Sequence, residues 1–262
     1  MNSVNKTLYI PLYGKALVSK KGIILSDKKA EEIWENEKFS LKGKSKSKWL
    51  AYFMAMRSSV FDKWVIDKIA STQDAIVLHL GCGLDSRIIR TKNLKFKWFD
   101  IDFNSVINER RKYFNETPYY SMIPSDVRDG SFINLLPNAN YAIVVLEGIS
   151  MYLTNEELNN IFIKLSEKFS KLSILMDCYT PFAVKMTKLK NPIKYVGVKS
   201  VYGIKSPKIL EEKTGISFKK EHDMTPTNLI NELTGCEKGI FKQVYAGKTS
   251  KKLYKIYEYE KG

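Results

Sequence analysis

The chain has 262 residues, 44% hydrophobic and 12% aromatic, and 43 Lys and Arg against 28 Asp and Glu give a net charge of +15. This composition supports a large core, excludes a disordered chain, and suits one α/β domain or two small ones. The cation excess is nearly all Lys, with Arg only at Arg57, Arg87, Arg90, Arg110, Arg111 and Arg128. Arg is the residue that forks onto phosphates and base edges, so nucleic acid is disfavoured as a partner. The charge reads as a solvated surface, or as attraction for an anionic small substrate.

Cys82, Cys178 and Cys236 are too few and too scattered for a disulfide framework. His79 and His222 are isolated and no CxxC is present, so no metal site is expected. Met1 to Pro11 has no secretory pattern and no apolar run approaches the roughly 18 residues that cross a bilayer. A soluble cytoplasmic protein is the expectation.

In chain order, the first 70 residues read as an N-terminal helical cap. Lys42–Lys48 (KGKSKSK) reads as a mobile loop. From Trp49 to Ile69 the apolar residues fall at helical spacing, and Arg57 lies on the apolar face with Phe53, Phe61 and Trp64. A guanidinium there needs a partner, because an unpaired buried charge is costly. From residue 71 onward strands and helices alternate. Ala75–Leu80 is a buried strand ending at Gly81-Cys82-Gly83, and Leu84–Arg90 opens a helix. Lys95–Phe99 is a second strand running into Asp100-Ile101-Asp102, followed by a helix over Ser105–Phe114. Tyr119–Ile123 is a third strand, before Pro124-Ser125-Asp126, and Tyr141–Leu146 a fourth, ending at Glu147. Thr154 and Glu157 form a capping box for a helix reaching about Phe169. Leu172–Met176 is a fifth strand, residues 178–205 read as a substrate-side insertion, and Ser206-Pro207 caps another helix. Ser217–Glu221 and Leu253–Tyr259 are the last strands; Tyr257 and Tyr259 share one face, Tyr254 and Ile256 the other. Alternating βα units predict a single Rossmann-like α/β domain over 1–262, with a mostly parallel seven-stranded sheet and helices on both faces.

Ligands of such sheets sit at the carboxyl ends of the strands. Here four consecutive strands end in Gly81-Cys82-Gly83, Asp102, Asp126 and Glu147. Gly81 and Gly83 permit close backbone approach to a ligand. The third glycine of the dinucleotide fingerprint is replaced by Ser86, and Asp85 opposes a pyrophosphate. A cofactor with a cationic end and no phosphate, S-adenosylmethionine, suits these residues better. Asp102, about twenty residues after the glycines, stands where a carboxylate accepts the ribose hydroxyls, with Asp100 as its competitor. Asp126 is placed to accept from the adenine amino group, and Glu147 to face the methionine ammonium or the ribose.

Gly81-Cys82-Gly83-Leu84-Asp85-Ser86-Arg87 resembles the GxGxDxR signature of the leucine carboxyl methyltransferase family, which includes bacterial polyketide O-methyltransferases. Supporting blocks follow in order: Thr7 to Ala16, Asp27, Arg57 with Phe61-Asp62, Phe99 to Asp102, Ser125 to Asp129, and Glu147 to Leu153 with Thr154 and Glu157. They span about Thr7 to Phe169. Asn104 departs from the family, which often has Pro there. The resemblance implies a class I S-adenosylmethionine-dependent methyltransferase in which Lys15 and Arg57 hold the cofactor carboxylate. Gly81, Asp102, Asp126, Val127 and Glu147 would hold the rest.

Methyl transfer from a sulfonium is an in-line displacement that positioning alone can accelerate by roughly 7–11 kcal/mol. No catalytic triad is expected, and His222 is the one imidazole of the second half available to a hydroxyl acceptor. The leading expectation is O-methylation of a small-molecule or peptide carboxylate or hydroxyl, with Arg128 and Tyr152 converging on the acceptor oxygen. The alternatives are an N-methyltransferase acting on nucleic acid or protein, and a non-catalytic module. Against base N-methylation, Glu147-Gly148-Ile149-Ser150 stands where an Asn/Asp-Pro-Pro-aromatic turn would be, and Asn191-Pro192-Ile193-Lys194 does not replace it.

Overall fold

The computed structural model describes residues 7–92, 96–189, 200–212 and 214–262. Its centre is a seven-stranded sheet in the order β3-β2-β1-β4-β5-β7-β6. Strands β1 (Ile76–Leu80), β2 (Lys97–Asp102), β3 (Tyr120–Pro124), β4 (Tyr141–Leu146) and β5 (Lys171–Tyr179) are parallel. The last two, β6 (Ser217–His222) and β7 (Tyr254–Lys261), close the edge, with β7 antiparallel to both neighbours.

Side chains alternate along each strand, so each face buries its own set. Val77, Trp98, Ile143, Leu175 and Ile256 face one layer. It is formed by α1 (Tyr9–Lys21), α2 (Lys28–Glu37) and α3 (Lys48–Ala70), through Tyr9, Leu12, Ile33, Phe61 and Val65. Leu78, Ile101, Val144, Ile174 and Tyr259 face the other layer, where α6 (Asn155–Lys168) contributes Leu158, Ile161, Phe162 and Leu165. The N-terminal helices and the sheet thus share one core. No helix of the described residues is long and apolar enough to cross a membrane.

Several boundaries differ from the sequence reading. The helix expected from Leu84 forms only as α4 (Arg87–Arg90), because the Ser86 hydroxyl donates to Asp27 at 2.6 Å and Asp85 accepts from Arg90 at 2.7 Å. Helix α5 (Asn104–Arg110) stops short of Phe114, where the chain continues as turns and Arg110 folds inward over the Phe114 ring. Ser206 caps a short 3-10 turn, Pro207–Leu210, and Gly43–Lys46 in the lysine-rich stretch also folds as one. Strand β5 runs past Met176 to Tyr179. Asp177 interrupts the apolar run in the sequence, yet it pairs in register with Ile256 of β7. After β5, α7 (Pro181–Leu189) leads into residues 190–199, so much of the expected insertion at 178–205, including Asn191 to Lys194, lies outside the described residues. Between β6 and β7 stand α8 (Thr227–Ile230), α9 (Gly235–Val244) and α10 (Lys248–Lys251), which no sequence pattern had indicated; Leu229, Ile230 and Phe241 pack on Val18, Tyr52 and Met56 of the N-terminal helices.

Candidate active site

A cavity of about 690 Å³ opens at the carboxyl ends of β1 to β5. That volume lies in the range of small-molecule and cofactor sites. Lys15, Arg57, Gly81, Gly83, Asp102, Asp126, Val127, Arg128, Glu147 and Tyr152 all line it, as do Tyr179 and Tyr254.

The floor is the turn after β1. Gly81 has φ +66° and Gly83 has φ +52°, a region open to glycine at little cost. A Cβ on Gly81 would lie 2.1 Å from the Ile149 side chain, so this turn and the loop after β4 touch with no room for a methyl group. The Gly83 amide donates to Asp102 Oδ2 at 2.8 Å and the Phe103 amide to Oδ1 at 2.8 Å. These bonds fix the carboxylate and leave it acceptor capacity on both oxygens. Burial raises Asp102 to about 6, against those two amide bonds. Asp100 points the same way along β2 but is fully buried and fully used. It accepts from Arg110, from Trp98 Nε1 at 2.8 Å and from the Tyr120 hydroxyl at 2.6 Å. Burial would raise Asp100, but Arg110 holds it at about 2.

Behind the floor lies a network of buried ions. Arg57 Nε donates to Glu147 Oε1 at 2.9 Å, and Arg57 Nη1 donates to Asp177 Oδ2 at 2.8 Å and to the Tyr254 hydroxyl at 2.9 Å. These are the partners its place on an apolar helix face required. Glu147 also accepts from Ser58 and Arg87; burial would raise it, but Arg87 and Arg57 keep it at about 2. Arg87 Nε donates to Asp62 at 2.8 Å, and Lys15 Nζ lies 3.2 Å from Asp85. Arg90 joins Asp27, Asp62 and Asp85 at 2.6–2.7 Å. Asp27 also caps α2 by accepting from the Ala30 amide. Asp85, expected to face a cationic ligand directly, therefore spends its charge on Lys15, Arg87 and Arg90.

The far end of the cavity is aromatic and apolar. Tyr179 and Tyr254 meet edge to face at 5.0 Å, Tyr152 is hydrogen-bonded to Thr7, and Leu50 and Met54 of α3 complete the wall. The Tyr254 hydroxyl donates to Asp177 Oδ2 at 2.7 Å, while Asp177 Oδ1 accepts from the Gly148 amide at 2.7 Å. Asp177 thereby ties β5, β7, α3 and the loop after β4 together. The sequence reading named neither Asp177 nor Tyr179, and it placed Tyr254 only as a face residue of the last strand, not as part of the site. Asp177 continues the series of acids near strand ends, and that was the available signal.

Two expectations are corrected. Arg128 does not converge with Tyr152: its Nε donates to Asp126 at 2.9 Å, and its guanidinium sits 5.8 Å over the Phe103 ring. Arg128 follows β3 and Tyr152 follows β4, three strand positions apart, or roughly 14 Å at normal strand spacing. Both residues line the one cavity, Arg128 from the loop after β3 and Tyr152 from the loop after β4. His222 is not in that cavity; it contacts Glu258 at 2.6 Å and lines a separate 240 Å³ pocket beside β6.

The donor set fits an adenosyl sulfonium cofactor. Asp102 presents a fixed acceptor for a diol, and the wall around Lys15, Arg57 and Glu147 carries both signs of charge. Among the described residues a pyrophosphate finds no comparable cradle. The helix after the glycine turn is four residues long, and Arg87 at its start is turned inward onto Asp62 and Glu147.

The leucine carboxyl methyltransferase family model matches residues 3–166. The chain is 25% identical over 243 residues to the tetracenomycin polyketide synthesis O-methyltransferase of Streptomyces glaucescens, covering 92% of this chain and 90% of the relative. An S-adenosyl-L-methionine-dependent methyltransferase of Gibberella zeae is 29% identical over 36% of this chain and 35% of its own length. In fold, the chain is similar to the magnesium protoporphyrin IX methyltransferase of Synechocystis PCC 6803 solved with bound S-adenosylhomocysteine. There the TM-score is 0.53 and the identity 12%, over 88% of this chain and 94% of that one.

Proposed function

The chain belongs to the leucine carboxyl methyltransferase family, and we propose that it is an O-methyltransferase acting on a carboxylate or hydroxyl oxygen of a small molecule with an apolar or aromatic body. S-adenosyl-L-methionine is its cofactor and supplies a methyl group already activated on a sulfonium. Asp102 takes the ribose hydroxyls, Asp126 and Val127 the adenine, and Lys15, Arg57 and Glu147 the methionine end. Arg128 is reassigned to holding Asp126 in place at the adenine end. The acceptor end is built by Tyr152, Tyr179 and Tyr254.

The observation that carries this reading is the division of the cavity. Polar groups stand at the ends of β1 to β4, and an aromatic-apolar compartment adjoins them beside β5 and β7. A chain that needs only to align a carboxylate oxygen with an activated methyl requires this arrangement and little else; a hydroxyl acceptor must in addition give up its proton to a base or to solvent as the methyl arrives. Leu50, Met54 and the tyrosine rings exclude water, and the Tyr152 and Tyr179 hydroxyls offer hydrogen-bonding capacity to fix the oxygen, while the Tyr254 hydroxyl is held by Asp177 and Arg57. The relative from Streptomyces, named as an O-methyltransferase of polyketide synthesis, supports a small molecule as acceptor.

The test is a panel of aromatic carboxylates, phenols, amines and short peptides incubated with methyl-labelled cofactor, with products placed by mass spectrometry. Label on oxygen in the aromatic acids or phenols is the expected result. Label confined to the nitrogen of amines or peptides overturns the reading.

A further inference from the structure

The whole chain carries +15, yet the cavity wall carries an excess of acid. Its cations are Lys15, Arg57 and Arg128; its acids are Asp85, Asp102, Asp126 and Glu147. The buried groups directly behind deepen the imbalance. Arg87 and Arg90 are outnumbered by Asp27, Asp62 and Asp177, all linked to the wall by the ion pairs described above. Two pairs cancel internally: Arg128 with Asp126, and Arg110 with Asp100. What remains is a continuous network of four cations and five acids, from Asp27 to Asp177, together with Asp102, whose contacts are backbone amides.

Buried charges are screened far less than surface lysines, whose influence fades over about 8 Å at physiological salt. A ligand in the cavity therefore feels the acid excess of the wall more than the positive field of the whole chain. S-adenosylmethionine carries a sulfonium, an ammonium and a carboxylate, for a net +1; S-adenosylhomocysteine has lost the sulfonium and is neutral.

We propose that this wall is a charge selector: its unbalanced acids favour the cationic methyl donor over the neutral product, so that the spent cofactor is displaced by fresh donor. Asp177 is a specificity-determining residue in this scheme. It is fully buried, and its one cation, Arg57, is shared with Glu147. With an amide at position 177 the network would stand at four against four. The inference rests on the reading of the cavity as the S-adenosylmethionine site.

The experiment is titration calorimetry of the wild-type chain with three ligands at low and high salt. They are S-adenosylmethionine, S-adenosylhomocysteine, and sinefungin, in which an amine-bearing carbon replaces the sulfonium and keeps the net charge at +1. The two cationic ligands should bind roughly tenfold or more tighter than S-adenosylhomocysteine, about 1.4 kcal/mol, with the gap little changed by salt. Asp177→Asn should narrow the gap to under threefold, chiefly by weakening the two cationic ligands. Equal or tighter binding of S-adenosylhomocysteine by the wild type, or a gap erased by salt, overturns the selector while leaving the cofactor assignment standing. Failure of all three ligands to bind overturns the cofactor assignment, and the selector with it.

Discussion

The two acids at the end of β2 should separate cleanly when each is removed. Asp102 faces the cavity with its oxygens held by two backbone amides, so Asp102→Ala removes the ribose acceptor and leaves no buried cation behind. Two hydrogen bonds to a charged group are worth about 1.5–3 kcal/mol each. Water replaces part of this at a half-buried position, so a net loss of about 2 kcal/mol, or roughly thirtyfold in cofactor affinity, is expected. Asp100 is different. Its removal strands Arg110, which is fully buried and otherwise bonded to Tyr120 and the Gly83 carbonyl. Breaking one partner of such a buried pair costs about 3–5 kcal/mol, which corresponds to a fall of roughly 10 °C in melting temperature. Thermal unfolding and calorimetry with S-adenosylhomocysteine, run on Asp102→Ala and Asp100→Asn, read both effects. The expected pattern is weak binding with near-normal stability for the first, and low stability with affinity within about threefold for the folded fraction of the second. A variant at Asp100 that keeps its stability but loses the cofactor would show that the ribose acceptor has been misplaced.

Other outcomes follow from the same geometry. Burial raises Asp102 to about 6, and the ionised form is the one that accepts two hydroxyls, so cofactor affinity should be steady above pH 7 and fall about tenfold by pH 5; titrations across that range should show the fall in the wild type and not in Asp102→Asn. Glu147 is held at about 2, below its ordinary 4.5, so its ion pairs contribute stability that is fully present above about pH 5 and lost as pH falls toward 2; Glu147→Gln should flatten that limb of an acid-unfolding curve and lower stability at neutral pH by about 3–5 kcal/mol. Gly81→Ala places a methyl group against Ile149 at a positive φ and should cost about 1–3 kcal/mol in unfolding titrations along with most cofactor affinity. His222→Gln should leave turnover within twofold in the labelled-methyl assay, because His222 lies outside the main cavity on Glu258.

Much of the central sheet was legible because burial on both faces forces continuous apolar strands, as at Ile76–Leu80 and Tyr141–Leu146. The Thr154–Glu157 capping box formed as written. Strand-end position brought Asp102, Asp126 and Glu147 to one cavity, and helical periodicity required a partner for Arg57. What escaped was long-range. Tyr254 reaches the cavity only because β7 pairs antiparallel beside β5, with Tyr179 opposite Tyr254 in register. No local pattern encodes that pairing. Arg128 was misplaced for a related reason: adjacency to Asp126 in sequence does not say which way a guanidinium turns, and a neighbouring carboxylate two residues away is its nearest partner.

The direction in which the cofactor lies along the strand ends is the claim from which every residue role above descends, and a crystal structure with bound S-adenosylhomocysteine tests it most directly. The expected density has ribose hydroxyls on Asp102, adenine against Val127 beside Asp126, and the amino-acid end at Lys15 and Arg57, with the sulfur turned toward Tyr152 and Tyr254. Density with the adenine among the tyrosines, or in the pocket beside His222, would contradict it.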